Sequence, residues 1–484
     1  MLKIGIVGAG ATGTIFLYNF IQEFRKRNAG KIDFYIFEKR TVFGPGAPYQ
    51  EDLFSVRLNQ PINLMSIDAN DSEHFRKWLL HHDTLSSFAC EDYIPRTVYG
   101  KYLADCFNKL SHLNNSNIQV NIVNNEVLDI EKGDTYQLIT KNEKYLFDYV
   151  ILCTGHFKAS GILELKNCEN YIVDPYPLKE TLSKVTKHDR IGILGSSLTA
   201  IDIAVSLNYL GHIGKIDMIS RKGQLPHVSG ESSSSTKYTP VFLTKENIGK
   251  IEHFKIEDII DLLKKEFESW GLDWGILDSK EIDNYDRYSQ KINFYNNDEN
   301  KLYYSILDQF HEILNELWSC IDSVEKAEFK HLPLFIQRSV AAINARFIAN
   351  MLNNNLSLKT QLFSLVAYEN KPFILGEFSS GETVKYDWVF DATGLSTHIN
   401  TQDSKLLNRF LEKGIAVRNT FGGIMVTPNQ HSIIDISGKA QNQLRAIGHL
   451  TCGTHYFTNH IPYLVPMASC VAKDIIKEYY QKNL

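Results

Sequence analysis

The sequence predicts an α/β chain built twice on one plan, with a helical insertion in the second copy. Three observations predict it. A short apolar run, a glycine-rich turn, a helical stretch and a second apolar run follow one another from Lys3, and the same order returns from Arg190. Both copies close on the same ending, Asp-x(5)-Thr-Gly, at Asp148 to Gly155 and at Asp387 to Gly394. Helical periodicity fills the stretch between the second strand pair and the second ending.

In the first copy the run Lys3 to Val7 leads into Gly8-Ala9-Gly10-Ala11-Thr12-Gly13. Ile15, Phe16, Phe20 and Phe24 then recur at helical spacing, Arg25 to Arg27 stand near the helix end, and Ile32 to Phe37 runs into Glu38. In the second copy Arg190 to Leu194 leads into Gly195-Ser196-Ser197-Leu198-Thr199-Ala200, followed by a helix over Ile201 to Leu210. The run Ile216 to Ile219 ends in Ser220-Arg221-Lys222. Short alternating runs precede each ending: Ile118 to Val123 and Tyr136 to Thr140 in the first copy, Leu356 to Leu365 and Phe373 to Gly376 in the second. They read as β-meanders returning to a parallel sheet. The insertion opens on a loop-like stretch, Ser229 to Ser235. Ile256, Ile259, Ile260, Leu263 and Phe267 share one helix face, as do Ile306, Phe310, Ile313, Leu314 and Leu317, and Pro333 to Leu352 reads as a third helix. This insertion is a cap over a substrate site, plain scaffold or an oligomer face. The expected units are residues 1–160, residues 161–394 with the insertion at 240–352, and residues 395–484 returning to the first.

Composition narrows the class. Of 484 residues, 43% are apolar and 22% charged, so wholesale disorder is excluded. Lys and Arg number 51 against 56 Asp and Glu, a net charge of −5, which speaks against nucleic-acid or membrane-surface binding. No apolar run is long enough to span a bilayer, and the glycine turn stands where a signal peptide would need its cleavage site. The seven cysteines are scattered without CxxC spacing, against a structural zinc or a redox dithiol. A reducing cytoplasm is expected. No HExxH spacing occurs, and His81-His82, His455 and His460 read as surface or pocket residues.

The glycines carry the chemistry. Gly8 makes a tight turn, Gly10 lets the backbone approach a pyrophosphate, and Gly13 lets helix and strand pack closely. The helix start offers free N–H groups to the diphosphate. Glu38 can accept from both ribose hydroxyls and repels a 2′-phosphate, which suits FAD or NAD. In the second copy Ser197 and Ala200 replace the middle and last glycines. Ser220, Arg221 and Lys222 replace the acid and suit the 2′-phosphate of NADPH. A solvated basic turn that binds nothing stays open. The fold class is therefore two Rossmann-like dinucleotide-binding domains, one for FAD and one for NADPH, an arrangement that allows hydride transfer.

The chain resembles the two-dinucleotide-binding-domain flavoproteins, above all the FAD-NAD(P)-binding family of monooxygenases, relatives of the N-hydroxylating and flavin-containing monooxygenases. Gly44-Pro45-Gly46-Ala47-Pro48-Tyr49, Leu58-Asn59-Gln60-Pro61 with Met65-Ser66, and Pro95-Arg96 with Tyr99-Gly100-Lys101-Tyr102 resemble its motifs. So do Gly195 to Asp202, Ser220 to Pro226, and Gly448 to Gly453 with Ile461-Pro462. The resemblance implies that the Asn59 amide faces the reacting edge of the flavin, a catalytic role. It extends the cofactor-binding set to Ala11, Thr12, Lys39, Gly46, Arg96, Val127, Thr154, Gly155, Thr199, Gly394, Gly448 and Pro462. Cys153 departs from the alanine of the N-hydroxylating signature, while Ala392 keeps it. Gly448-His449 stands where many such flavoproteins have Gly-Asp. The Baeyer–Villiger pattern is absent from Asn170 to Pro177. The implied activity is an FAD-dependent, NADPH-using monooxygenase that oxygenates a small molecule with O2 through a flavin C4a-hydroperoxide, at the nitrogen of an amine or amino acid. A flavin-dependent NAD(P)H reductase without oxygen insertion and a non-catalytic FAD-binding protein stay open, as does a homo-oligomer.

Overall fold

The computed structural model describes residues 1–27, 30–157, 159, 161–229, 238–251, 255–276, 284–297, 300–329, 339–368, 371–399 and 404–482. The first stretch of chain forms β1 (Leu2–Val7), α1 (Ala11–Arg27), β2 (Ile32–Phe37), α2 (His74–Leu80), α3 (Arg96–Ser111), β3 (Ile118–Val123), β4 (Asp129–Lys132), β5 (Tyr136–Ile139), β6 (Lys144–Phe147) and β7 (Tyr149–Leu152). Next come β8 (Tyr171–Ile172), α4 (Leu178–Thr181), β9 (Ile191–Leu194), α5 (Leu198–Tyr209), β10 (Ile216–Ile219) and β11 (His227–Ser229). The insertion holds α6 (Lys245–Gly249), α7 (Ile256–Ser269), α8 (Tyr285–Asn296), α9 (Lys301–Cys320), α10 (Ser323–Glu328), β12 (Ser339–Ala341) and α11 (Ala342–Leu352). β13 (Leu356–Lys359), β14 (Leu362–Ala367), β15 (Ile374–Phe378), β16 (Thr383–Tyr386) and β17 (Trp388–Asp391) follow. α12 (Lys405–Glu412), β18 (Ser432–Ile434), β19 (Ala440–Ala446) and α13 (Ile461–Lys482) end the chain.

These elements form two compact units. Residues 1–51, 61–158 and 396–484 make the first, and residues 52–60 with 159–395 make the second.

The first unit is built on a sheet of order β18-β19-β7-β1-β2-β3, parallel except for the β18–β19 pair. Its central strands are covered on both faces, which is why β1 and β2 read as nearly continuous apolar runs. α1 buries Ile15, Phe16, Leu17, Phe20, Ile21 and Phe24. Each such side chain contributes roughly 1.5–3 kcal/mol. Arg25, Lys26 and Arg27 close the helix, cations at its negative end. β4, β5 and β6 form an antiparallel meander whose Ile130, Tyr136, Leu138 and Phe147 share a core with Phe37, Val150, Leu152 and the α12 residues Leu406, Leu407 and Phe410. Arg445 on β19 is wholly buried and paired with Asp474 and Glu478 of α13, and Glu478 also accepts from the Tyr149 hydroxyl at 2.8 Å. Removing one partner of such a buried pair costs about 3–5 kcal/mol.

The second unit repeats the plan. Its sheet runs β13-β10-β9-β17-β8, all parallel, with its own meander β14-β15-β16. In the insertion, Ile259, Leu263 and Phe267 of α7 and the five apolar α9 positions expected on one face are buried.

The structure corrects three expectations. Ile118 to Val123 is no part of a meander. It is β3, paired in parallel with β2, and it alternates because an edge strand has one solvated face. Leu356 to Leu365 is likewise two strands: β13 joins the parallel sheet, and Gln361, at φ 57, turns the chain into β14. The third helix starts at Ala342, not Pro333, because Ser339 to Ala341 pair in parallel with His227 to Ser229. Residues 333–338 and most of the serine-rich stretch, 230–237, lie outside the described residues.

Residues 52–60 also differ from the expected boundary, since they pack with the second unit. Asp52 accepts from the Leu178 and Lys179 N–H groups at 2.9 and 2.8 Å, the start of α4. The Ser55 hydroxyl meets that of Ser206 on α5 at 2.8 Å. Among the described residues no helix is long and apolar enough to cross a membrane.

Candidate functional site

Gly8 sits where β1 turns into α1, at φ 107, a conformation that L side chains rarely adopt. A Cβ there would lie 2.2 Å from the Cys153 carbonyl oxygen, and one on Gly13 would lie 2.0 Å from the Gly8 carbonyl oxygen. Both glycines are therefore required by the backbone alone. Gly10 is a different case: its nearest neighbour would be the Gly46 Cα at 3.1 Å. The Gly44 to Tyr49 segment thus lies against the glycine turn. On its other side a Cβ on Gly100 of α3 would meet the Tyr49 carbonyl oxygen at 1.9 Å. Arg96 begins α3, beside this segment. Burial pushes the Tyr49 phenol up to about 12, against the pull of Arg96.

Glu38, at the tip of β2, is buried and ties the turn together. Its Oε2 accepts from Ala9 N–H at 3.0 Å, and its Oε1 accepts from Arg40 N–H at 3.1 Å and Arg40 Nε at 3.3 Å. Lys39 points elsewhere, to Glu126 at 3.4 Å. Arg40 was not singled out in the sequence. Its signal was there: Glu38-Lys39-Arg40 occupies the place of Ser220-Arg221-Lys222.

The second turn is wired alike. Gly195 has φ 114, and its N–H donates to Ile219 O at 2.7 Å as Gly8 N–H donates to Phe37 O at 2.8 Å. Ala200 stands fully buried where the first turn has Gly13. Ser197 precedes α5 without capping it, and Thr199 lies in the first turn of that helix. The Ser196 hydroxyl donates to Gln224 O at 2.5 Å and lies 3.0 Å from the Ser220 hydroxyl, which accepts from Gly223 N–H at 3.1 Å. Arg221 and Lys222 are exposed, and neither forms an ion pair or hydrogen bond among the described residues.

Several observations test the fit of two dinucleotides. Neither α1 nor α5 carries an acid in its first turn, so both helix starts accept an anion. Gly155 and Gly394 close the two endings at φ 79 and 109, and a Cβ on either would meet nothing within 4 Å. Beside Gly155, the Thr154 hydroxyl is buried without a partner among the described residues. A group that lies along these open backbones and supplies hydrogen-bonding partners fits them. Val127 spends its side chain on the core beneath the first sheet, which leaves its main chain for contact.

The C-terminal segment returns to the first turn. A Cβ on Gly448, at φ 87, would lie 3.2 Å from Thr12 Oγ1. Pro462 stands in the first turn of α13. His449, in place of the usual acid, is turned to structural work. Its Nε2 lies 2.8 Å from Ser396 O, so that nitrogen carries the proton, and its ring meets His156 edge-on at 5.0 Å. Burial, then His449, holds His156 down at about 3. Asn59 is half-buried in the 52–60 segment, which packs with the second unit. No cluster of three or more metal-ligating side chains occurs among the described residues.

Residues 5–157 match the model of the FAD-NAD(P)-binding family. The chain is 22% identical over 330 residues to Uncharacterized protein YdhS of Escherichia coli (strain K12), which covers 60% of this chain and 59% of that one. The match thus spans less than two thirds of its relative. In fold, the chain is similar to DfoA bound to FAD, the desferrioxamine-pathway cadaverine monooxygenase of Erwinia amylovora. That likeness has a TM-score of 0.59 at 14% identity over 98% of this chain and 94% of the other. The Kutzneria sp. 744 ornithine N-hydroxylase KtzI gives 0.58 at 13% identity over 98% and 99%. At such identities the likeness is one of fold. With the glycine turn, its buried acid and the doubled architecture in place, residues 5–157 carry an FAD-NAD(P)-binding domain, and FAD and NAD(P) are the cofactors that this domain and the doubled fold support.

Proposed function

We propose that the protein is an FAD-dependent, NADPH-using monooxygenase that oxygenates the nitrogen of a small amine or amino acid. The observation that carries the assignment of the two cofactors is the contrast in charge at the two strand tips. Glu38 receives a ribose and holds Arg40 in place. Arg221 and Lys222 stand uncommitted and suit a 2′-phosphate. The choice of oxygenation is supported by the whole-length fold likeness to a cadaverine monooxygenase and an ornithine N-hydroxylase. It is also supported by the cysteines, which have no dithiol spacing in the sequence and of which Cys90, Cys106, Cys153, Cys168, Cys452 and Cys470 stand free among the described residues.

Bound FAD supplies the redox chemistry and the activation of dioxygen, with NADPH as the source of hydride. The chain's own residues bind and orient. Gly8 to Gly13 and the start of α1 hold the FAD diphosphate, with Thr154, Gly155, Gly448 and Pro462 along it. Gly195 to Thr199 and Gly394 hold NADPH. Asn59 is assigned to hydrogen bonding at the reacting edge. Water must be kept from that edge for oxygen to reach the substrate rather than escape as peroxide.

The test is NADPH oxidation by the purified yellow protein with and without O2, over a panel of amines and amino acids, scored for peroxide and an N-oxygenated product. Oxygen-dependent product formation supports the proposal. NADPH oxidation that needs no oxygen and yields no oxygenated compound identifies a reductase instead.

A further inference from the structure

We propose that Tyr102, His74 and Trp78 form a proton-coupled relay by which the first unit absorbs one-electron oxidants. The inference goes beyond the proposed oxygenation and needs only a flavin-bearing chain that meets oxygen.

The aromatic rings of α2 and α3 form a continuous path. Tyr49 meets Tyr99 at 4.8 Å between ring centres, Tyr99 meets Tyr102 at 5.5 Å, and Tyr102 meets Trp78 at 5.5 Å. Such contacts are ordinary core packing. What sets two of these rings apart is where their protons can go. The Tyr102 oxygen accepts from Ile67 N–H at 3.3 Å and lies 2.6 Å from His74 Nδ1, so in the Nε2–H tautomer of His74 the phenol donates to Nδ1. Burial lowers the His74 pKa, which favours the neutral imidazole that can take a proton. The Trp78 indole N–H donates to Asp105 at 2.7 Å, and Asp105 pairs with the exposed Lys109 at 2.8 Å. Tyr99 is the counterexample: its hydroxyl is fully buried and has no partner among the described residues. A phenol that loses an electron becomes a strong acid, so it yields that electron readily only where a base takes the proton. Tyr102 meets that condition and Tyr99 does not.

The step balances as follows. An oxygen-centred radical, left when dioxygen is incompletely reduced, takes one electron from Trp78, which keeps its N–H on Asp105. Trp78 then takes one electron from Tyr102, whose hydroxyl proton passes to His74 Nδ1. The oxidant is reduced by one electron, Trp78 is restored, and a neutral Tyr102 phenoxyl radical faces a His74 imidazolium. The Tyr102 O–H bond breaks and the His74 N–H bond forms.

The experiment uses the full FAD-loaded chain, photogenerated tris(bipyridine)ruthenium(III) as the one-electron oxidant, and freeze-quench electron paramagnetic resonance. It involves neither NADPH nor substrate, so its failure is distinct from failure of the oxygenase reading. A tryptophanyl signal is expected to give way to a tyrosyl one. In Tyr102→Phe the tyrosyl yield falls about fivefold and the tryptophanyl signal persists about tenfold longer, because no base-coupled donor refills it. His74→Gln, with Tyr102 intact, shows the same loss. Tyrosyl yield and tryptophanyl lifetime within about twofold of wild type in either variant would overturn the relay.

Discussion

The two units share their backbone wiring and differ in how they use charge. In the first, Glu38 draws in Ala9 N–H and Arg40, and Glu126 takes Lys39, so both cations after the strand tip are neutralised. In the second, Ser220 does the turn's hydrogen bonding with a neutral hydroxyl, and Arg221 and Lys222 have no ion pair among the described residues. On the proposed reading, the same strand, turn and helix would reject a 2′-phosphate in one unit and accept it in the other, through the residues at the strand tip. The glycines differ as well. Gly13 has no room for a methyl group, whereas Ala200 already carries one.

The largest effect expected from that contrast is at Gly13. Gly13→Ala forces its Cβ against the Gly8 carbonyl, and such overpacking costs about 1–3 kcal/mol or more. FAD affinity should fall by about 100-fold or further, read as loss of the flavin absorbance after gel filtration. Ala200→Gly should leave nicotinamide binding unchanged within about twofold, since α5 already packs with the methyl in place. Equal loss in both variants would erase the difference between the turns.

Next in size is the phosphate assignment. Arg221→Ala and Lys222→Ala should each raise the KM for NADPH roughly 10- to 100-fold and leave NADH unaffected, as each charge-assisted hydrogen bond contributes about 1.5–3 kcal/mol. Ser220→Glu sharpens the point. It rebuilds the strand tip of the first unit in the second, and steady-state kinetics should show preference moving from NADPH toward NADH. If NADPH and NADH weaken together, Arg221 and Lys222 are not phosphate ligands.

A smaller change is expected at Asn59, in the stretch that sequence order places within the first copy and packing places in the second. Asn59→Ala should keep its flavin and its NADPH oxidation, while oxygenated product per NADPH falls about tenfold and peroxide rises to match. Full coupling in that variant would remove Asn59 from the chemistry.

What was legible in the sequence was what local chemistry dictates. Gly8 and Gly13 are set by steric contacts within a single turn. The faces of α7 and α9 follow from a repeat of 3.6 residues, and the acid at Glu38 follows from the end of a strand. What was not legible depends on partners far along the chain. β3 alternates like a meander strand, and only its pairing with β2 shows that it is the edge of the parallel sheet. Residues 52–60 belong to the second unit because Asp52 finds N–H groups 126 and 127 positions away. The start of α11 is displaced by Val340 pairing with Val228, over 100 residues earlier. The replacement of an acid by His449 was visible, but its anchoring to Ser396 was not.

The last contrast is in response to acid. His431 and His455 of the first unit are buried and stack at 4.5 Å. Burial, then His455 and Arg445, hold His431 down at about 3, and burial holds His455 down at about 4. In the second unit His227 is held at about 3 by burial and then Lys291, and burial lowers His212. An unfolded histidine titrates near ~6.5. Between that value and the folded one, the unfolded chain binds a proton that the folded chain refuses, so stability rises with pH. It is complete above about pH 6.5 and is lost as pH falls toward 4, at about 1.4 kcal/mol per pH unit for each fully buried imidazole. The first unit also holds His156, His449 and His74, all shifted down, so its unfolding, followed by flavin release, should move to lower temperature faster than that of the second between pH 7 and 5. His431→Asn separates titration from backbone strain. His431 sits at φ 58, which asparagine adopts more readily than most residues. The variant should therefore keep its fold and flatten the acid slope of the first unit, while the second keeps its own. If the slope survives His431→Asn and a parallel His455→Phe unchanged, the acid sensitivity of the first unit has another source.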